Sequence, residues 1–260
     1  MRTKTKHLGL IITISLVTLA CIAAVLWNAA GTLFPVTPTQ KMVWDYATEH
    51  GYYYGSYPQS LIDLLERNPE TEQFVLQFPE ASKKEYTIDL SGYKEPETVP
   101  LFLQWDQRWG YMTYGNDVVG LTGCGPVSLS MATFYLSGGS NDYTPEKVIE
   151  FAIQNHYYVP GSGSSWSLIS KGGELLGFHV TELPLDENRI RNVLEAGTPI
   201  ICVVGPGDFT TSGHFLVLTG YEDGMIMLND PNSMTNSQKL WTYEQLKPQI
   251  KNLWSIENKG

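Results

Sequence analysis

Cysteine is scarce in this chain of 260 residues, which contains only Cys21, Cys124 and Cys202. Three cysteines this far apart do not form a disulfide framework. The sequence also lacks the Cys-x-x-Cys and His-x-x-x-His spacings of zinc sites, and no glycine-rich phosphate loop follows a strand. We therefore expect no metal and no other cofactor.

Basic residues are also few: the chain contains 17 Lys and Arg but 27 Asp and Glu, which gives a formal net charge of −10. This acidic balance excludes a nucleic-acid backbone as the main partner. Hydrophobic residues make up 42% of the chain and aromatics 12%, which excludes intrinsic disorder and coiled coils. The length suits one sizeable domain with a small extension, and we expect a monomer.

Charge is absent altogether from residues 8–27, and a helix of 20 residues is just long enough to cross a hydrocarbon core of about 30 Å. Arg2, Lys4 and Lys6 precede this stretch, so the N-terminus is predicted to stay in the cytoplasm and the rest to lie outside. Residues 1–30 are thus interpreted as a basic tip and a transmembrane signal anchor of a single-pass protein of the cell membrane. The alternative is a signal peptide that is cleaved, which would give a secreted protein.

Residues 31–97 are interpreted as a linker followed by a small helical lead-in. Ser60 is predicted to cap one short helix, and a second one is predicted over residues 72–78 with Pro79 as its end. A polar connection with several prolines then enters the main domain.

Residues 98–260 carry the pattern of an α+β domain, because helices come first and strands follow. The predicted helices are Cys124–Leu136, 144–155, 165–176 and 186–197, and the predicted strands are Ile200–Val204, 214–221, 225–228 and 253–257.

Cys124 lies in the sequence Gly-Cys-Gly-Pro, at the predicted start of a helix. Unpaired backbone N–H groups and the positive end of the helix dipole favour a thiolate there. The alternative is a small buried side chain at a helix start. Cys202, within an apolar predicted strand, fits that structural role better, and Cys21 belongs to the predicted anchor.

A thiolate nucleophile requires an imidazole beside it and a group that orients the imidazole. Of the five histidines, His179 and His214 lie in the predicted domain within apolar surroundings, and each one alone is more typical of a structural histidine. His214 is favoured because Asp230 follows it at the spacing of a hairpin.

That hairpin is predicted to close with the three-residue loop Glu222-Asp223-Gly224, which pairs Tyr221 with Met225. This register puts Asp230 on the same face as His214 and diagonal to it, within reach of a hydrogen bond. A two-residue loop would put Asp230 on the other face. The alternative role of the Asp-Pro sequence is an ordinary Asx turn at the end of a strand.

Several motifs together resemble the papain-like cysteine peptidases, and within them the bacterial group related to bacteriocin-processing, double-glycine peptidases. They are the segments 99–109, 114–115, 123–131, 214–221 and 229–231. The resemblance covers roughly residues 98–258. It implies a papain-like fold in which a catalytic helix packs on an antiparallel β-sheet.

The resemblance also implies the roles of individual residues. Cys124 would be the nucleophile, His214 the base and then the acid, and Asp230 the group that orients the imidazole. Gln104 would stabilise the oxyanion together with the Cys124 backbone N–H. Gln104 lies 20 positions before Cys124, whereas in the transporter-fused peptidases the glutamine lies only a few residues before the cysteine. Gln107 is therefore the alternative candidate for the oxyanion donor.

The predicted function is hydrolysis of a peptide or peptide-like bond outside the cytoplasm, through a thioester. A role in bacteriocin export is not implied, because the domain faces outward. Two alternatives stay open: a non-hydrolytic module that binds cell-wall or peptide ligands, with Trp105, Trp109 and Trp166 as candidate contacts, and a transpeptidase. The loops 157–166 and 206–213 are predicted to read the substrate.

Overall fold

The computed structural model of the chain describes residues 37–259. These residues fall into two compact units, of which one ends at Ile62 and the other begins at Asp63. The predicted anchor at residues 8–27 lies outside the described residues. Within residues 37–259, no helix combines the length and the apolar character needed to cross a bilayer. The predicted domain boundaries after residues 30 and 97 stay predictions.

Twelve α-helices, several of them a single turn long, occur in the described part of the chain. In order they are α1 Pro38–His50, α2 Gln59–Arg67, α3 Glu72–Leu76, α4 Phe78–Ala81, α5 Gln107–Gly110, α6 Val119–Thr122, α7 Cys124–Leu136, α8 Pro145–Gln154, α9 Gly173–Leu175, α10 Glu187–Glu195, α11 Met234–Ser237 and α12 Tyr243–Leu246. A π-helical turn at Leu168–Gly172 runs into α9, and 3-10 turns occupy Tyr54–Ser56, Pro69–Thr71, Ser91–Tyr93 and Asn141–Tyr143.

The predicted start of the first lead-in helix and the predicted end of the second are both wrong. Ser60 does not cap its helix, because α2 already begins at Gln59. Pro79 does not end a helix either, since α3 stops at Leu76 and Pro79 lies in the first turn of α4. A proline fits there because the N–H groups of a first turn have no partner within the helix.

The central helix α7 has the predicted bounds, Cys124–Leu136. Its residues from Gly125 to Phe134 are all buried, as expected for a helix that is apolar on every side. One side packs against the strand that begins at His214, and another packs against α8. Each fully buried Val, Leu, Met or Phe contributes about 1.5–3 kcal/mol of hydrophobic stabilisation, so this packing fixes the position of Cys124 at the start of the helix.

Within residues 37–259, nine strands form one five-stranded antiparallel sheet and two small hairpins. The hairpins pair β1 Thr113–Tyr114 with β2 Asp117–Val118, and β3 Tyr158–Val159 with β4 Gly163–Ser164. The sheet has the order β5-β9-β6-β7-β8, with β5 Phe178–Glu182, β6 Ile200–Val204, β7 His214–Glu222, β8 Met225–Asn229 and β9 Ile250–Asn258.

Both faces of the large sheet are covered, which explains why its middle strand β6 is buried throughout. Residues such as Val203, Phe215 and Val217 share a core with α7, while Cys202 and Leu216 share a second core with α10. The α+β pattern that the sequence predicts is therefore confirmed. Strand β5 was not predicted, and β9 begins three residues earlier than expected.

The β7–β8 hairpin differs from its prediction in two ways that cancel. The loop has two residues, Asp223 and Gly224, because Glu222 pairs with Met225. Both loop residues have positive φ, at 51° and 81°, as a type I′ turn requires. A β-bulge at Thr219 then shifts the register by one residue, so that Val217 pairs with Asn229. The predicted three-residue loop was wrong, but the bulge restores the strand register that was predicted from that loop.

Candidate active site

Cys124 is the first residue of α7 and is half-buried. Small neighbours are required on its C-terminal side, since a Cβ on Gly125 would lie 2.5 Å from Ser164 Oγ. The backbone N–H groups of Gly125 and Phe215 hydrogen-bond to the sulfur, and both lower the pKa of the thiol. The thiol thus lies between the start of the helix and the first residues of β7.

His214 is the first residue of β7 and forms a buried ion pair with Asp230. Its Nε2 lies 2.7 Å from Asp230 Oδ1, and the two side chains are 8% and 1% exposed. The other ring nitrogen is left for Cys124, whose interaction with the imidazole raises the pKa of His214. The structure therefore brings Cys124, His214 and Asp230 together.

The pKa values of Cys124 and His214 are shifted in opposite directions. Burial raises the pKa of the Cys124 thiol, but the hydrogen bond and the positive charge of His214 outweigh it, and the net pKa lies below its ordinary value. Burial lowers the pKa of His214, but the charge and hydrogen bond of Asp230, and those of Cys124, raise it to about 10. Both shifts act in favour of a thiolate–imidazolium pair over a neutral thiol and imidazole.

Asp230 has further partners that the sequence did not reveal. Oδ1 also accepts a hydrogen bond from the backbone N–H of Asn232 at 2.8 Å, so the Asx turn that was the alternative role is present as well. Oδ2 accepts one from Asn236 Nδ2 at 3.0 Å. Asn236 belongs to no motif, and only the turn between β8 and α11 brings it back to the carboxylate.

Gln104 and Gln107 are separated by the structure. Gln104 is 4% exposed and lines a cavity together with Cys124. Its Nε2 donates to Gly120 O at 2.8 Å and retains a second N–H, while its backbone N–H donates to Pro231 O at 2.7 Å. Gln107 instead donates to Gln77 and lines a different cavity, which Cys124 does not reach.

Two cavities meet at Cys124 and His214. One has a volume of about 720 Å³ and includes Ser164, Trp166 and Lys251. The other, of about 590 Å³, includes Gln104 and also Arg67 from the end of α2. The predicted substrate loops 157–166 and 206–213 both contribute to these cavities. The sequence did not predict the contribution of Arg67, because no motif links it to residues that lie so far along the chain.

The remaining candidates from the sequence lie elsewhere. His179 is exposed on β5, where its Nδ1 lies 3.4 Å from Glu174. Cys202 is fully buried on β6, and burial followed by the charge of Asp230 raises the pKa of its thiol to about 12. Among the described residues, no group of three or more His, Cys, Asp and Glu side chains could hold a metal ion.

The sequence matches one family model, described as the Peptidase_C39 like family, over residues 96–259, which is more than half of the chain. The chain belongs to this family. The C39-like match confirms the resemblance to the bacteriocin-processing group of papain-like peptidases, and it supports a hydrolase of the cysteine-peptidase type.

Two solved structures are similar to the C39-like chain. The peptidase domain of Streptococcus ComA, a bi-functional ABC transporter involved in a quorum-sensing pathway, is 19% identical; the match covers 62% of this chain and 99% of that one, with a TM-score of 0.42. A chain assigned as a C39-like peptidase from Bacillus anthracis is 15% identical; the match covers 62% of this chain and 96% of that one, also with a TM-score of 0.42. No curated protein matches the chain.

Proposed function

We propose that the protein is a membrane-anchored cysteine peptidase that hydrolyses a peptide or peptide-like bond outside the cytoplasm. The observation that carries this proposal is that half-buried Cys124 lies beside the buried His214–Asp230 pair, in which the two side chains are 2.7 Å apart. A purely structural cysteine has no use for a lowered pKa and an oriented imidazole.

In the first half of the reaction, the Cys124 thiolate attacks the carbonyl carbon of the scissile bond. The C–N bond breaks as His214 gives its proton to the leaving amine, and a thioester to Cys124 forms. Asp230 stabilises the imidazolium before this transfer and keeps the ring in the required orientation afterwards.

In the second half, neutral His214 takes a proton from water, and the oxygen attacks the thioester carbon. The C–S bond then breaks, the carboxylic product leaves, and the thiolate–imidazolium pair is restored. No metal or cofactor is needed for these steps.

Gln104 is proposed to stabilise the oxyanion in both halves. Its free Nε2–H and the backbone N–H of Cys124 would donate to the oxygen, which carries most of the charge in the tetrahedral intermediates. The burial of Gln104 supports this role, because a donor shielded from water is worth more than an exposed one.

The location outside the cytoplasm is proposed from residues 8–27, which lie between a basic tip and the rest of the chain. Intact mass measurement of the protein recovered from membranes would test it. A chain that retains residues 1–30 supports the anchor, and a shorter chain in the medium supports cleavage and secretion.

Product mass spectrometry on a mixture of peptides and muropeptides in ¹⁸O-water tests the activity. We expect new carboxyl groups that carry ¹⁸O, with turnover lost in Cys124→Ala and retained in the matched control Cys202→Ala. Binding of the same mixture by wild type and Cys124→Ala without turnover would support the non-hydrolytic module instead. Products joined to an added amine, without ¹⁸O, would identify a transpeptidase.

A further inference from the structure

Glu70 connects the region before the family match to the loop that follows Asp230. Its Oε1 accepts hydrogen bonds from Ser233 Oγ at 2.9 Å and from the Thr235 N–H at 3.1 Å, and its Oε2 accepts one from the Met234 N–H at 2.7 Å. Partial burial raises the pKa of this carboxyl, but these hydrogen bonds outweigh it and hold the pKa below its ordinary value. Glu70 is thus an anion with three donors in one short segment.

The segment that Glu70 holds supplies one of the hydrogen bonds of Asp230. Ser233 Oγ, which donates to Glu70, also accepts from the Asn236 N–H at 3.1 Å. The Asn236 side chain in turn donates to Asp230 Oδ2 at 3.0 Å. A continuous chain of hydrogen bonds therefore runs from Glu70 through Ser233 and Asn236 to Asp230.

Asn68, two residues before Glu70, contacts Asn232 at the start of the same segment. Its Nδ2 donates to Asn232 O at 2.6 Å, and its Oδ1 accepts from the Glu70 N–H at 3.1 Å. The N–H of Asn232 is the group that donates to Asp230 Oδ1. Both carboxylate oxygens of Asp230 therefore accept from residues that are fixed by the segment 68–70.

We propose that Glu70 is a positioning residue of the catalytic centre, which holds Asp230 against His214 through Ser233 and Asn236. This inference rests on the proposed function. It makes the region before residue 96, where the family match begins, a working part of the active site.

The physical reason is that α11 spans only Met234–Ser237 and has little stability of its own. Charge-assisted hydrogen bonds to a carboxylate are stronger than neutral ones, so Glu70 fixes this turn more firmly than its own backbone bonds do. A small displacement of an orienting group is enough to reduce catalysis strongly.

The test compares Glu70→Gln with Glu66→Gln in the full chain. Glu66 is an exposed residue near the end of α2, and its variant is the matched control. The readouts are kcat, the melting temperature, and the pH midpoint of Cys124 alkylation by iodoacetamide. In Glu70→Gln we expect kcat to fall about tenfold and the midpoint to rise by about one pH unit, because a loosened Asp230 stabilises the imidazolium, and hence the thiolate, less well.

A role in stability alone would lower the melting temperature of Glu70→Gln and leave the alkylation midpoint of the folded protein unchanged, which would overturn the proposal. Equal behaviour of the Glu70 and Glu66 variants would overturn it too. Ser233→Ala removes the two hydrogen bonds of Ser233 Oγ, to Glu70 and from the Asn236 N–H, and keeps the Glu70 carboxylate, so it is the second variant if Glu70→Gln does not fold. It must raise the midpoint in the same direction, and an unchanged midpoint contradicts the proposal.

A double-mutant cycle with Asn236→Ser identifies the route. If Glu70 acts through Asn236, the effect of Glu70→Gln on the midpoint disappears in the Asn236→Ser background. Effects that add would show that Glu70 acts by another path. The proposed function fails separately, namely if the wild-type alkylation midpoint is that of an ordinary thiol or does not change in His214→Ala.

Discussion

Cys124 and Cys202 lie within the same domain, and both interact electrostatically with the Asp230–His214 pair, yet their thiols have opposite character. The pKa of Cys124 is lowered, chiefly because the hydrogen bond and charge of His214 outweigh burial. The pKa of Cys202 is raised to about 12, because burial and the charge of Asp230 act in the same direction. The two thiols thus differ in the charge that faces the sulfur, which is the imidazolium of His214 at Cys124 and the carboxylate of Asp230 at Cys202.

The backbone around the two cysteines also differs. Cys124 begins α7, where N–H groups have no partner within the helix and can point at the sulfur. Cys202 lies in the middle strand β6, between β7 and β9, where the ladders on both sides use the backbone groups. A thiolate there would have little compensation for the loss of water.

The largest expected effect is the difference between Cys124→Ala and Cys202→Ala. We expect the first to reduce kcat by about 10⁴-fold or more, since the nucleophile is lost. The second should retain activity and lower the free energy of unfolding by about 1 kcal/mol, because it leaves a small cavity in the core. Peptide turnover and urea denaturation measure the two effects. Comparable loss of activity in both variants, at equal folded fractions, would contradict the different roles assigned to Cys124 and Cys202.

The next effect concerns the cation that creates the contrast. His214→Ala should move the pKa of Cys124 upward, toward that of Cys202, and reduce kcat by about 10³-fold. His179→Ala, on an exposed histidine with its own carboxylate partner, is the matched control and should change neither quantity. Alkylation rates against pH check the first change, and an unaltered Cys124 in His214→Ala would remove the basis of the comparison.

A smaller effect is expected from the oxyanion donor. Gln104→Ala should reduce kcat by about 10²-fold and leave the alkylation of Cys124 unchanged, because the donor acts only on the tetrahedral intermediate. Gln107→Ala, whose side chain faces the other cavity, serves as the control and should be close to wild type. The reverse result would mean that Gln107 donates to the oxyanion.

The smallest effect is the dependence of kcat/KM on pH. Activity should rise as the pH passes the lowered pKa of Cys124, because only the thiolate attacks, and it should fall as the pH passes about 10, because His214 then lacks the proton that the leaving amine needs. Beyond each limit the rate should change about tenfold per pH unit. A profile whose acid limb lies at the ordinary thiol pKa would show that Cys124 resembles Cys202.

Local patterns predicted the elements that carry the chemistry, but not the details of their connections. The apolar run after Gly-Cys-Gly-Pro gave α7 with its observed ends, because proline and the flanking glycines mark a helix start. The hairpin shows the limit: a loop of two residues and the bulge at Thr219 compensate for each other, and neither can be read from the alternation of side chains. The position of Asp230 was thus predicted correctly from a wrong loop.

The sequence by itself determined the α+β class, the C39-like motifs and the helix start at Cys124, since all of these depend on neighbouring residues. Only the tertiary structure placed Gln104, and not Gln107, in a cavity with Cys124, brought Arg67 to that cavity, and connected Glu70 and Asn236 to Asp230. These contacts join residues that are distant in sequence, or residues that a loop brings back to the same place. Their geometry depends on how the sheet, α7 and residues 67–70 pack together, and no local pattern contains that information.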